Sequence, residues 1–216
     1  MIMNFGKNKT SQIIPIRPTN SFALPEIIYK KRVPFIKLHT EKLQNNVINL
    51  SETVSTTLIY KYGNLVEYNK SPTDNHIEKI EFKAGGCFGT CPIYELTIDK
   101  HQSASFVAKG NNFDPFNYGN EGFFKGKIKD DDYGHLISLL NYIDFIKLNN
   151  EYTVPWTDDR TGILKITYNN GNIKTISDYG MVGTYGLKSV YELLEDLRFN
   201  QKWEKVMDTK QNKTHE

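Results

Sequence analysis

The stretch IEKIEFKAGGCFGTCPIYELTID, residues 77–99, decides how the rest of the chain is read. On its left, Ile80 and Phe82 alternate with Glu81 and Lys83. On its right, Tyr94, Leu96 and Ile98 fall on one side of a second alternating run. A period of two means a half-buried strand. The segment between, AGGCFGTCP, holds both cysteines of the chain, Cys87 and Cys91, among three glycines and a proline. It is therefore a connection between two strands, and it does not open a helix.

Working outward, the alternation continues. DKHQ reads as a turn into SASFVAKG, and the aromatic stretch NNFDPFNYGNEG leads to FFKGKI. DDDYGHLISLLNYIDFIKL then changes period. Leu136, Leu139, Leu140, Ile143 and Ile146 recur at helical spacing, with Asp130, Asp131 and Asp132 at the positive end of the helix dipole and Lys147 at the other. GILKITY and IKTISDY pair across NNGN, residues 169–172, which tolerate positive φ. GLKSVYELLEDLRF closes the series as a helix with Leu187, Val190, Tyr191, Leu194 and Leu197 on its buried stripe.

The predicted fold class is α+β: an antiparallel sheet of about six strands in the order ββββαββα, with two helices packed on one face. An extra hairpin, TTLIYKYGNLVEY, precedes it, with its turn at Gly63-Asn64. The predicted organisation is a basic, proline-punctuated extended arm at 1–50, a hairpin extension at 51–75, the α+β domain at 76–207 and a disordered tail at 208–216.

Composition narrows the function. The chain has 216 residues, 38% hydrophobic and 24% charged, with a formal charge of +2. That is enough for one domain with a real core, and too close to neutral to imply a polyanion partner by itself. Residues 1–50 carry net +6 and the remainder net −4, yet no aromatic-interleaved basic stripe accompanies the arm, so nucleic acid is not expected. No run reaches the ~18 apolar residues of a membrane span. The N-terminal residues lack an apolar signal core, which makes the expected location cytoplasmic.

Four readings of Cys87 and Cys91 compete. Structural zinc needs a second cysteine pair or a His pair. None is present, and His39, His76, His101, His135 and His215 form no such spacing. Redox catalysis needs a cation or helix N-terminus to hold a thiolate, and none lies between the two cysteines. A disulfide closing this five-residue loop would add ~2 kcal/mol in an oxidising compartment. The favoured reading is a tight structural turn with the disulfide optional. A metal at Cys87 and Cys91, or redox chemistry there, is the alternative, and no cofactor is otherwise expected. GGCFGT lacks the lysine of a phosphate loop, and no Ser-His-Asp, HExxH or dinucleotide pattern appears.

CFGTCPIY, residues 87–94, resembles a family of bacterial domains of unknown function marked by a CFGxCPxY segment between two strands. Thr157-Asp158, the hairpin from Gly171 to Lys174, and Tyr179-Gly180 continue the resemblance over about residues 76–207. It implies an architecture and no activity. A second, local likeness is to copper-handling proteins of thioredoxin-like fold that carry CxxxCP. There the motif leads into a helix, and here it leads into a strand.

The expected function is that of a binding module without catalysis. Its partner is another protein or a small ligand, met through aromatic and glycine-rich loops at 111–122, 152–160 and 178–186. Tyrosine and tryptophan supply contact area at small entropic cost. The candidate binding residues are Phe116, Tyr118, Trp156, Asp158, Arg160, Tyr179 and Tyr185.

Overall fold

The computed structural model describes the backbone of residues 2–3, 12–13, 24–44, 47–112 and 121–206. The predicted tail at 208–216 and most of the aromatic loop, with Phe116 and Tyr118, lie outside the described residues. The chain divides into two compact units, residues 1–68 and 69–216.

In the first unit, β1 (Ile2–Met3) pairs with β2 (Gln12–Ile13). A four-stranded antiparallel sheet follows, from β3 (Leu24–Lys30), β4 (Val33–Gln44), β5 (Val47–Lys61) and β6 (Asn64–Glu67), in that spatial order. Strands thus occupy much of the span expected as an arm, and they share a sheet with the expected hairpin. Proline is tolerated here for a local reason. The β4–β5 ladder begins at Phe35, so the missing N–H of Pro34 falls before it. The turn of the second hairpin is Tyr62-Gly63, at φ 55° and 77°, one residue earlier than predicted. Positive φ at both central positions is what a two-residue hairpin of this twist requires.

In the second unit, β7 (Ile77–Ala84), β8 (Ile93–Asp99), β9 (Ser103–Gly110) and β10 (Gly122–Lys127) run into helix α1 (Asp130–Tyr142). Then come β11 (Glu151–Tyr152), β12 (Thr161–Tyr168), β13 (Asn172–Tyr179), helix α2 (Tyr185–Asn200) and β14 (Trp203–Lys205). The sheet order is β11-β13-β12-β7-β8-β9-β10-β14. Every pairing is antiparallel except β11 with β13. The sheet has eight strands where about six are predicted. The additions, β11 and β14, are edge strands of two and three residues, too short to carry a period.

One face of this sheet is buried. Ile80 and Phe82, Tyr94, Leu96 and Ile98, Phe106, Leu164 and Ile166, and Ile176 all lie within a few per cent of full burial. Tyr191 of α2 stacks on Phe82 at 5.5 Å between ring centroids, which seats α2 on this face. The stripes of both helices are buried, among them Leu136, Leu139, Leu140, Leu187, Val190 and Leu194. The other face carries charge. Glu81 is held by Lys79 at 3.1 Å and Lys165 at 3.0 Å, and Glu95 by Lys83 and Lys109.

Helix α1 ends at Tyr142 and not near Lys147. Asp144 takes a left-handed φ of 53° and a short 3-10 turn follows, Phe145–Lys147. Phe145 is buried, while Ile143 and Ile146 are only partly so. Long-range bonds outweigh the local period. Asn141 Oδ1 accepts from the Asn75 N–H at 3.1 Å, and Asp144 Oδ1 accepts from the Thr73 hydroxyl at 3.2 Å. Among the described residues, no helix is long and apolar enough to cross a membrane.

Candidate functional site

The β7–β8 connection sits at one end of the second sheet. Its entry is fixed by the Gly85 N–H, which donates to the Thr161 carbonyl at 2.8 Å. Cys87 and Cys91 are joined by a disulfide, closing a ring of five residues. Gly89 inside the ring has φ 146°, a conformation that side chains resist. The ring turns Phe88 outward, and that side chain is 90% exposed. The Phe88 N–H donates to the Asp158 carbonyl at 3.4 Å, joining the ring to the 153–160 loop.

On the far side, Asn111 Nδ2 donates to the Cys91 carbonyl at 3.3 Å, and Asn112 Nδ2 to the Ile93 carbonyl at 2.7 Å. Asn112 is itself fixed from α2, because Arg198 Nη1 donates to its Oδ1 at 3.1 Å. Glu195 accepts an ion pair from Arg160 and lies 3.4 Å from Arg198 Nη2. One carboxylate between two guanidiniums thereby ties both flanks of the disulfide ring to the same helix.

Phe116 and Tyr118 fall outside the described residues, and each of the other predicted residues has a definite place. Trp156 is half-exposed, and its indole N–H donates to Asp159 Oδ2 at 3.0 Å. Asp158 stands at φ 68° and accepts from the Thr157 hydroxyl at 3.3 Å. Arg160 is committed to Glu195, and its carbonyl accepts from the Gly180 N–H at 2.8 Å. The Tyr179 hydroxyl accepts from the Asp159 N–H at 3.2 Å. Tyr185 opens α2 directly after Thr184, whose hydroxyl caps the helix by accepting from the Leu187 N–H. Cys87, Cys91, Trp156, Asp158, Arg160 and Tyr179 therefore converge on one edge, with Tyr185 a few residues along the chain.

The chemistry at this edge is limited by its bonding. Disulfide sulfurs are not thiolates, so they neither attack nor ligate a metal until reduced. The Tyr94 hydroxyl is pushed well above the usual phenol range, first by burial and then by the Glu195 carboxylate, with Arg198 and Arg160 opposing. Tyr191 is pushed up as well, first by burial and then by Asp178. Both stay protonated at neutral pH. Among the described residues, no three His, Cys, Asp or Glu side chains stand together as a metal site would require.

Residues 78–198, more than half of the chain, match the DUF6438 family, a domain of unknown function. The chain belongs to the DUF6438 family. The DUF6438 span takes in the disulfide ring, the 153–160 loop and most of α2. No curated protein matches the chain.

Within the DUF6438 span, sequence reasoning missed Phe88, Asn112, Asp178, Glu195 and Arg198. Asp178 had a readable signal. It shares the inward parity of Ile176 in β13, so a carboxylate was pointed at the core. There it is fully buried and accepts from the Val182 and Gly183 N–H groups at 3.2 and 2.8 Å. Phe88 lies in the connection between two strands, where no period marks which way a side chain faces.

Proposed function

We propose that the protein is a binding module without catalysis of its own, contacting a protein or small ligand through the edge that carries Phe88 and Trp156. The observation that carries this reading is Phe88, 90% exposed at the tip of a disulfide-closed ring. Leaving a phenylalanine in water forgoes about 2 kcal/mol of burial. A rigid scaffold presenting such a side chain on a loop is the usual build of a contact surface. The polar groups behind the loop support the absence of catalysis, since Arg160 and Arg198 are both committed to Glu195. Phe116 and Tyr118 belong to the proposal by sequence position: their loop leaves β9 at Gly110, which pairs with Ile93 next to the ring.

A photo-crosslinking side chain at position 88 of the intact chain tests the reading, with position 165 on the charged sheet face as control. Adducts at 88 and not at 165 are expected. Equal labelling, or none at 88, rejects it.

A second reading, thiol chemistry at Cys87 and Cys91, is favoured by one observation: the bonded pair lies in an outward-facing loop, where a reductant has access. A free-thiol count and metal analysis on protein prepared with and without reductant discriminate. Stoichiometric metal lost on Cys87→Ser would replace the first reading with this one. The proposed cytoplasmic location and a lasting Cys87–Cys91 bond pull in opposite directions, because cytosolic thiols are kept reduced. The same thiol count, made on protein taken directly from its cell, chooses between them.

A further inference from the structure

We infer that the Phe88–Trp156 edge takes a polypeptide segment in which an arginine or lysine side chain lies beside an aliphatic one. This rests on the reading of that edge as a contact surface and adds the chemistry of the partner.

Charge decides it. Residues 84–93 and 179–186 carry no charged side chain. The 153–160 loop supplies Asp158, Asp159 and Arg160, and the Arg160 guanidinium is committed to Glu195. Among the described residues no cation pairs with Asp158 or Asp159. Asp159 shares its carboxylate with the Trp156 indole and the Arg160 N–H. Asp158 gives its own only to the Thr157 hydroxyl. The edge therefore presents two exposed rings beside carboxylates that lack a cation.

A cation over an aromatic face is attracted by the ring quadrupole, and a carboxylate alongside adds to the attraction. The exposed Phe88 ring suits an aliphatic neighbour of that cation. Phosphates of nucleic acid or anionic lipid would meet repulsion here. The lysines that would suit them, Lys79, Lys83, Lys109 and Lys165, stand along the charged face of the sheet. The disulfide and the Phe88–Asp158 backbone bond hold the loop before binding, which lowers the ordering cost.

The test titrates the intact chain with two short probe peptides of equal length, one alternating Arg and Leu, the other Glu and Leu. The Trp156 indole and Phe88 amide signals are followed by NMR. Saturable movement of both signals by the Arg–Leu peptide, weakening as salt is raised, is expected. Phe88→Ala and Asp158→Asn should each weaken it by about two- to five-fold, with folding verified by the unchanged remainder of the spectrum. Binding of the Glu–Leu peptide at the same signals would sink the basic-partner inference while leaving the edge a contact surface. An Arg–Leu response undiminished in both variants, no response to either peptide, or movement only with vesicles of anionic lipid would also overturn it.

Discussion

The guanidinium of Arg198 lies over the ring of Tyr94, 4.5 Å from its centroid, while Nη1 of the same group donates to Asn112 Oδ1 at 3.1 Å. One side chain thus connects α2 to a central strand and to the segment that braces the disulfide ring. A planar fork can stack on a ring and donate sideways at once, and an ammonium cannot.

Arg198→Lys should therefore lower stability by about 1–3 kcal/mol, because a buried acceptor on Asn112 and a lone pair on Glu195 lose their donor. Urea unfolding measures it. An unchanged midpoint would mean that Asn112 is held by the bonds its Nδ2 donates to the Ile93 carbonyl and, at 2.9 Å, to the Gly110 carbonyl.

Much of this fold is legible because the second sheet has one wet face. Glu81 and Lys83 against Ile80 and Phe82 announce both the strand and its orientation. What escapes is whatever depends on distant partners. Nothing local marks the end of α1 at Tyr142, since Asn141 and Asp144 answer to residues 73–75. The site divides in the same way. The Cys87–Cys91 segment is readable as a motif between strands. The roles of Arg198 and Glu195 arise only when α2 lies across β8, and in sequence they look like ordinary helix-surface charges.

Two glycines should respond with opposite signs. A Cβ on Gly183 would stand 2.6 Å from Tyr152 Cγ and 2.9 Å from Asp178 Oδ2. Both neighbours are constrained, Asp178 by full burial, so Gly183→Ala should cost about 2 kcal/mol or more. A Cβ on Gly134 meets nothing within 4 Å on the exposed side of α1. Gly134→Ala should raise stability by about 0.5–1 kcal/mol through helix propensity. Thermal melts of the two variants should straddle the parent.

Acid should weaken the charged face of the sheet. Burial raises the Glu81 carboxyl, but the hydrogen bonds and charges of Lys165 and Lys79 outweigh it and leave it below its ordinary range. Glu95 is lowered chiefly by the hydrogen bond from Lys109, against burial. Both folded-state values are depressed. Their contribution is therefore present above the unfolded glutamate value of about 4.3 and is lost as pH falls through the folded values. The melting midpoint should drop below about pH 4, and less steeply in a Glu81→Gln/Glu95→Gln variant. High salt should narrow the difference, as both pairs are partly exposed. Identical pH profiles for parent and variant would show that other carboxylates govern acid unfolding.

The disulfide should act locally. Closing five residues contributes about 2 kcal/mol in the chain-entropy model, so the double change Cys87→Ser/Cys91→Ser should lower stability by about that amount. A dithiol reductant should produce the same loss in the parent and none in the variant. Hydrogen exchange then reads where the constraint acted. The Phe88 N–H, inside the ring and bonded to Asp158 at 3.4 Å, should exchange faster once the bond is gone. The Gly85 N–H, outside the ring and bonded to Thr161 at 2.8 Å, should keep its protection, because it belongs to the junction of β7 with β12. If Gly85 loses protection in step with Phe88, the ring is holding the strand ends together as well. Presentation of Phe88 would then be inseparable from the stability of the sheet.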